Sequence, residues 1–317
     1  MKPKVIFFGT PEFAGYILQY LVDNGVDVVC AVTVAPKEQG RGLKIRKTGT
    51  HEKADEFGIP VLTPDKLRDE SFVNALAAYN ADIFCVVAYR ILPKEVYTLP
   101  KLGAFNVHTS LLPKYRGAAP MQRALMNGEK ETGITTFLLE PTVDAGRILL
   151  QEKVAITENE DLGELHDDLM QLGAKLALDT INGFVNNTLV PRAQNDAEAT
   201  PAPKILPADT FINFDRPAEA VHNQIRALSP IPGAVMMLAE FTLPNEEKLK
   251  IYKARVSGES VHNKPGVLLR DSHNKRLFVT TATQPLEILE VQREGKRKMT
   301  AEEFLRGVRF DIPILPE

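Results

Sequence analysis

Apolar residues in the first half of the chain fall in short unbroken runs separated by stretches of helical periodicity. KVIFFG (4–9), DVVCAVTV (27–34), DIFCVV (82–87) and GAFNVH (103–108) are too short for buried helices and rich in β-branched and aromatic residues. They predict buried strands. Between them, PEFAGYILQYLVDNG (11–25) predicts a helix with Pro11 near its first turn and Gly25 at its end. IPVL (59–62) predicts a short strand, and SFVNALAAYN (71–80) and LPKEVYTLP (92–100) predict two more helices. GITTFLLE and RILLQEKVAI predict further strands, followed by a long helix over 161–184. Strand and helix in alternation predict an α/β fold built on a doubly wound, mainly parallel, Rossmann-like sheet.

The pattern changes near residue 190. PRAQNDAEATPAPKILPAD is polar and proline-rich, the composition of a linker. One helix, RPAEAVHNQIRALS, follows, and then short β-like runs separated by turn residues: AVMMLAEF, KLKIYKARV, GVLLR, RLFVTTA and LEILEVQ. These predict a small OB-like β-barrel. The expected organisation is a catalytic domain over 1–190, a linker over 191–206 and a β-barrel domain over 207–317.

Composition narrows the class. With 317 residues, 44% hydrophobic and 25% charged, the chain reads as an ordinary globular protein of two domains or one large one. No apolar run approaches the ~18–20 residues of a membrane span. The opening MKPKVIFFGTPEF lacks a signal-peptide cleavage site and reads better as a first strand. Cys30 and Cys85 each sit inside a strand-like run, so buried free thiols and a cytoplasmic location are expected. The formal charge is −3, but residues 203–317 carry 17 Lys+Arg against 15 Asp+Glu, whereas residues 1–202 carry 21 against 26. Any nucleic-acid contact is therefore expected in the C-terminal third and in local basic loops.

The first strand–turn–helix, FFGTPEFAG, fails as a dinucleotide fingerprint because Pro11 and Ala14 stand where glycines are needed. It also lacks the Gly-Lys-Ser/Thr ending of a phosphate loop. NVHTSLLPKYRGAAP (106–120) is different. It ends a buried strand, where ligands of open α/β sheets bind. Asn106 and His108 are two apart and share one side of that strand. Asn106 can donate to a developing oxyanion, and His108 can donate or move a proton near neutral pH. By themselves the two would more often be a satisfied polar pair; the dense turn chemistry of SLLPKYRGAAP that follows shifts the balance toward a site. Asp144, in EPTVDAGRILLQ, could be an ordinary turn aspartate, and matters only if it reaches that pair.

The combination of NVHTSLLPKYRGAAP, ETGITTF and DAGRILLQ resembles the formyltransferases that use 10-formyltetrahydrofolate. VIFFGTPEFA, SPIPGA (229–234) and EGKRKMTAEEFLRG (294–307) extend the resemblance toward members acting on the methionyl initiator tRNA, over nearly the full length. The resemblance implies that an α-amino group attacks the formyl carbon and tetrahydrofolate leaves. It implies that Asn106 and His108 hold the formyl oxygen, while Asp144 orients the imidazole and assists proton transfer. It also implies that Ser110, Leu111, Leu112 and Pro113 wall the folate pocket, and that no metal is needed. VVAYRILP (86–93) departs from the family's usual loop: Arg90 stands for a glycine and one residue is missing, so contacts to the pterin are expected to differ.

Transfer RNA binding needs phosphate contacts from Lys and Arg. KEQGRGLKIRKTG (37–49) combines clustered cations with three glycines for flexibility, and Arg41 and Lys44 are its candidates. REGKRK (293–298) offers Arg293, Lys296, Arg297 and Lys298. Either loop could instead be merely solvated. A monomer is expected. Two other readings stay open: a formyltransferase acting on a nucleotide sugar or purine precursor, and a non-catalytic folate- or tRNA-binding module. The basic loop and the β-rich C-terminal third speak against the first, and the filled catalytic positions against the second.

Overall fold

The structure, a computed structural model, describes residues 2–39, 44–238, 247–261, 263–308 and 311–315. The chain divides into two units that share it in alternation. The first comprises Met1–Gly117, Glu131–Ala155 and Asp167–Ala202; the second comprises Ala118–Lys130, Ile156–His166 and Pro203–Glu317.

The chain opens with β1 (Lys4–Gly9), α1 (Glu12–Asp23), β2 (Asp27–Val32), β3 (Lys37–Gln39), β4 (Lys44–Arg46), α2 (Gly49–Glu56) and β5 (Val61–Leu62). It continues through α3 (Glu70–Ala78), β6 (Ile83–Val87), α4 (Lys94–Tyr97), β7 (Gly103–His108) and β8 (Arg116–Gly117). Next come α5 (Pro120–Met126), β9 (Glu131–Leu138), β10 (Ile148–Ala155), α6 (Leu162–Val185) and β11 (Pro201–Ala202).

Seven strands form the sheet of the first unit in the order β10-β9-β7-β6-β1-β2-β5. The five from β5 to β7 are parallel, and β9 and β10 run antiparallel at one edge. From β1 the chain winds through β2 to β5, then crosses back to β6 on the other side, which makes β1/β6 the switch point. Val5 to Phe8 are wholly buried, because a central parallel strand is covered on both faces. In α1, Phe13, Ala14, Ile17, Leu18 and Leu21 form one apolar stripe against this core. Burying each of the three larger aliphatic side chains stabilises the unit by about 1.5–3 kcal/mol.

The expected flexible stretch 37–49 is structured at both ends. β3 and β4 pair as an antiparallel hairpin, and Gly49 is the first residue of α2. A Cβ on Gly49 would stand 2.6 Å from Glu12 Cα, and one on Gly15 would stand 2.6 Å from the Gly49 carbonyl oxygen. Gly49 therefore lets α1 and α2 touch, instead of loosening a loop.

The expected linker also differs. Arg192 bridges to Ile148, and β11 pairs in parallel with β8, so 192–202 is built into the first unit. Backbone groups there find partners in the fold, which a free linker would leave to water.

The second unit adds α7 (Ala218–Leu228), β12 (Ala234–Met237), β13 (Lys248–Val256), β14 (Leu268–Arg270), β15 (Leu277–Val279), β16 (Leu286–Arg293), β17 (Met299–Thr300) and α8 (Ala301–Gly307). Its antiparallel sheet runs β12-β13-β16-β15-β14, with β17 on β16. Single bridges from Phe211 to β12 and from Ile314 to β14 cover the two edges. Val221, Ile225, Leu249, Ile251, Val291 and Phe304 are buried at its centre. α5 also belongs here, packed against α7.

Cys30 and Cys85 are buried free thiols, and burial pushes the Cys30 thiol up to about 11. Among the described residues, no helix is long and apolar enough to cross a membrane.

Candidate active site

β7 ends at the carboxyl edge of the sheet, between β6 and β9. Asn106 lies opposite Val86 and Phe137, and His108 lies opposite Thr135. The two-residue period puts both side chains on one face. His108 is buried and Asn106 half-buried. The Asn106 amide has no hydrogen-bond partner among the described residues, so its donors and its acceptor are free for a ligand.

His108 is held from both sides. Nε2 lies 2.9 Å from the Tyr115 carbonyl oxygen. A carbonyl only accepts, so Nε2 carries the proton. Nδ1 faces Asp144 Oδ2 at 3.9 Å. The sequence reading gives the orienting role to Asp144; here the Tyr115 carbonyl fixes the tautomer, and Asp144 stands across from the remaining nitrogen. At 3.9 Å the pair is not directly hydrogen-bonded, and a water or a reacting group fits the chemistry between them.

Asp144 is itself pinned. Its Oδ2 accepts from the Gly117 amide at 2.8 Å, and its backbone sits at φ +53°, a conformation that aspartate tolerates better than most residues. Gln194 Nε2 donates to the carbonyls of Asp144 and Gly146, at 2.8 and 2.7 Å.

The segment 110–113 is braced by two residues that sequence reasoning missed. Thr135 Oγ1 donates to the Ser110 carbonyl at 2.6 Å and accepts from the Leu112 amide at 3.1 Å. Gln151 Nε2 donates to the Leu112 carbonyl and to Thr135 Oγ1, both at 2.9 Å. Ser110 is fully buried, and its hydroxyl donates to the Lys114 carbonyl at 2.7 Å. Leu112 packs with Phe137 and Ile148. Ser110 and Leu112 therefore shape the segment, while the half-buried Leu111 and Pro113 retain surface to offer a ligand.

Arg90 spans two loops at the same edge of the sheet. It donates to the Pro64 carbonyl at 2.6 Å, the Asp65 carbonyl at 2.9 Å and the Tyr89 hydroxyl at 2.9 Å. Desolvation raises the Tyr89 phenol above its ordinary range, against the lowering effect of that guanidinium.

The basic candidates divide. Arg41 lies outside the described residues, and Lys44 opens β4. Arg293 is paired with Glu247 through two bonds of 2.6 and 2.9 Å, and Arg297 with Glu303 at 2.6 Å. Lys298 Nζ sits 3.8 Å over the Tyr252 ring and 3.5 Å from Glu290. Lys296 has no carboxylate partner among the described residues. Among those residues, no group of three or more His, Cys, Asp or Glu side chains could hold a metal.

Residues 1–181 match the formyl transferase family, and residues 204–309 match the formyl transferase C-terminal domain. The chain is 39% identical over 313 residues to the methionyl-tRNA formyltransferase of Bacteroides thetaiotaomicron, covering 97% of this chain and 96% of the relative. It is 41% identical over 306 residues to that of Caldanaerobacter subterraneus subsp. tengcongensis, covering 96% of each. Among solved structures, it resembles WlaRD, a sugar 3N-formyl transferase, with a TM-score of 0.66, 21% identity and coverage of 94% of this chain and all of that one. HypX from Aquifex aeolicus in complex with tetrahydrofolic acid gives a TM-score of 0.65 at 16% identity, over 99% of this chain and 49% of that one.

Proposed function

We propose, from the premise that the chain belongs to the formyl transferase family, that it moves the formyl group of 10-formyltetrahydrofolate to the α-amino group of methionine on initiator tRNA. Relatives bearing that activity in their names match it over nearly their whole length at about 40% identity. The observation that carries the chemical reading is the constellation at the end of β7. An unpartnered Asn106 amide and an imidazole with one nitrogen committed share a face, and a carboxylate stands across from the other nitrogen.

The residues present fit the reaction. Attack of the amine forms the new C–N bond and turns the formyl oxygen into an oxyanion. Asn106 donates to that oxygen, and His108, protonated on Nδ1, donates as well. Asp144 receives the proton shed by the attacking amine, directly or through a water. The imidazolium gives its Nδ1 proton to the folate nitrogen as that nitrogen's bond to the formyl carbon breaks, and Asp144 passes the proton taken from the amine back to Nδ1 across the gap between them. Tyr115 holds the ring still throughout by keeping the Nε2 proton in place. The co-substrate supplies the activated formyl carbon, and the 110–113 segment supplies part of its wall through Leu111 and Pro113.

Arg41, Lys44, Arg293, Lys296, Arg297 and Lys298 serve the tRNA backbone in this reading, within a cytoplasmic protein acting as a single chain. The test is transfer of labelled formyl from 10-formyltetrahydrofolate to charged initiator tRNA, compared with an amino-sugar nucleotide and a glycinamide ribonucleotide. His108→Ala is expected to lower kcat by roughly two orders of magnitude with little change in folate KM. Transfer to either small amine in preference to the tRNA would overturn the substrate assignment. A folded His108→Ala variant with unchanged turnover would overturn the site.

A further inference from the structure

The segment 192–202 touches the site at both of its ends. At one end, Arg116 Nε and Nη2 donate to Gln194 Oε1 at 3.1 and 2.8 Å. That fixes the amide the other way round, with its NH2 aimed at the carbonyls of Asp144 and Gly146. At the other end, Thr200 accepts from the Tyr115 amide through its hydroxyl at 2.9 Å and from the Arg116 amide through its carbonyl at 2.9 Å. The first end sets the turn that carries Asp144. The second sets the stretch that presents the Tyr115 carbonyl to His108 and the Gly117 amide to Asp144.

We propose that Gln194 is a positioning residue for formyl transfer: its amide holds the 144–146 turn so that the Asp144 carboxylate faces His108. The proposal rests on the reading that Asn106, His108 and Asp144 carry the reaction. The physical case is one of constraint. Asp144 sits at φ +53°, where the backbone relaxes elsewhere unless its surroundings fix it. Two hydrogen bonds donated to the carbonyls on either side of Ala145 provide that restraint, and the Arg116 guanidinium prevents the amide from flipping. Arg116 is anchored in turn by Asp196 at 2.7 Å. Releasing the turn frees the carboxylate to swing from a 3.9 Å separation that the reaction uses.

Gln194→Glu is the informative variant. It keeps the size of the side chain and the acceptor for Arg116, but replaces both donors with an oxygen facing two carbonyl oxygens. We expect kcat to fall by about ten- to a hundredfold, the usual consequence of sub-ångström misplacement, with KM for the folate within about twofold. A residue that merely supports the fold would cost the same in any background, so the same change is also made in Asp144→Asn. The loss is expected to vanish there, because the group being positioned is already disabled. Gln194→Ala removes the donors without adding charge and serves if the glutamate variant does not fold. Equal losses in both backgrounds, or wild-type kcat in a folded Gln194 variant while Asp144→Asn is impaired, would overturn the positioning role alone. Wild-type kcat in Asp144→Asn would instead overturn the underlying site assignment.

Discussion

Replacing Thr135 by valine removes one hydroxyl and nothing else of consequence to shape. Three hydrogen bonds go with it: to the Ser110 carbonyl, from the Leu112 amide and from the Gln151 amide. Thr135 is fully buried and Leu112 is 3% exposed, so water does not replace the lost partners. Gln151 is half-buried and keeps its bond to the Leu112 carbonyl, so it suffers least. Leaving the Leu112 N–H and one lone pair of Ser110 unmet costs about 1–3 kcal/mol for each group. The valine methyl returns about 1 kcal/mol through burial. The net loss is about 1–5 kcal/mol, centred near 3. Thr135→Ser keeps the hydroxyl and gives up a single methyl, at about 1 kcal/mol. The two units of this chain need not unfold together, so a single global midpoint is the wrong measure. Hydrogen exchange on peptides covering 103–117 reads the affected region directly. At 1.4 kcal/mol per factor of ten, exchange there is expected to accelerate roughly 140-fold at the centre of that range in the valine variant and about fivefold in the serine variant. Valine and serine variants exchanging alike would refute the claim that the hydroxyl network braces the 110–113 segment.

Two other expectations follow from the second unit. His222 is buried, and desolvation, reinforced by Arg226, depresses its imidazole below the ordinary 6.5. The unfolded chain therefore binds the proton first, so stability is full above that value and falls as pH drops through it toward the folded-state value. Urea midpoints for this unit are expected to decline from about pH 7.5 to 5.5 in wild type, and a flat profile there would contradict the sign. His222→Gln should flatten the decline. For tRNA, Lys296→Ala should reduce the salt slope of binding by about 0.9, the value for one released counterion. Arg293→Ala should reduce that slope by less, because Glu247 already offsets part of its charge; equal reductions for both would mean that the Glu247 pair opens on binding.

The strands of the first unit were legible because buried parallel strands are written as unbroken apolar runs. Asn106 and His108 were legible for the converse reason: polar groups at the end of such a run stand out. What escaped notice was written at long range. Gln194 meets Arg116 across 78 residues, and β8 and β11, which join the same stretches, are two residues long and carry no periodicity. Pro201 and Ala202 looked like linker composition although they form the paired strand β11. Thr135 looked like an ordinary β-former, since its hydroxyl acquires meaning only when 110–112 folds over it. Clustered cations in 293–298 read as a bare positive patch, whereas Glu247, Glu290 and Glu303 approach from elsewhere in the chain or fold. Local pattern reports burial and period; it does not report which distant carboxylate closes a pair.

The way the two units share the chain limits how this protein can be taken apart. Between its ends, the backbone passes from one unit to the other five times. Cutting after Ala202 therefore yields no self-sufficient halves. The N-terminal piece would carry α5 and 156–166 without the helix and strands they belong with, leaving the fully buried Ala124 and Leu125 open to water. The C-terminal piece would lack the α5 surface that covers α7. A ribosome meets the same constraint in time. Residues of α5 emerge about a hundred positions before α7 does, and they wait uncovered until it arrives. An engineer who wants either unit alone has to graft segments across, because no single pair of scissors separates them.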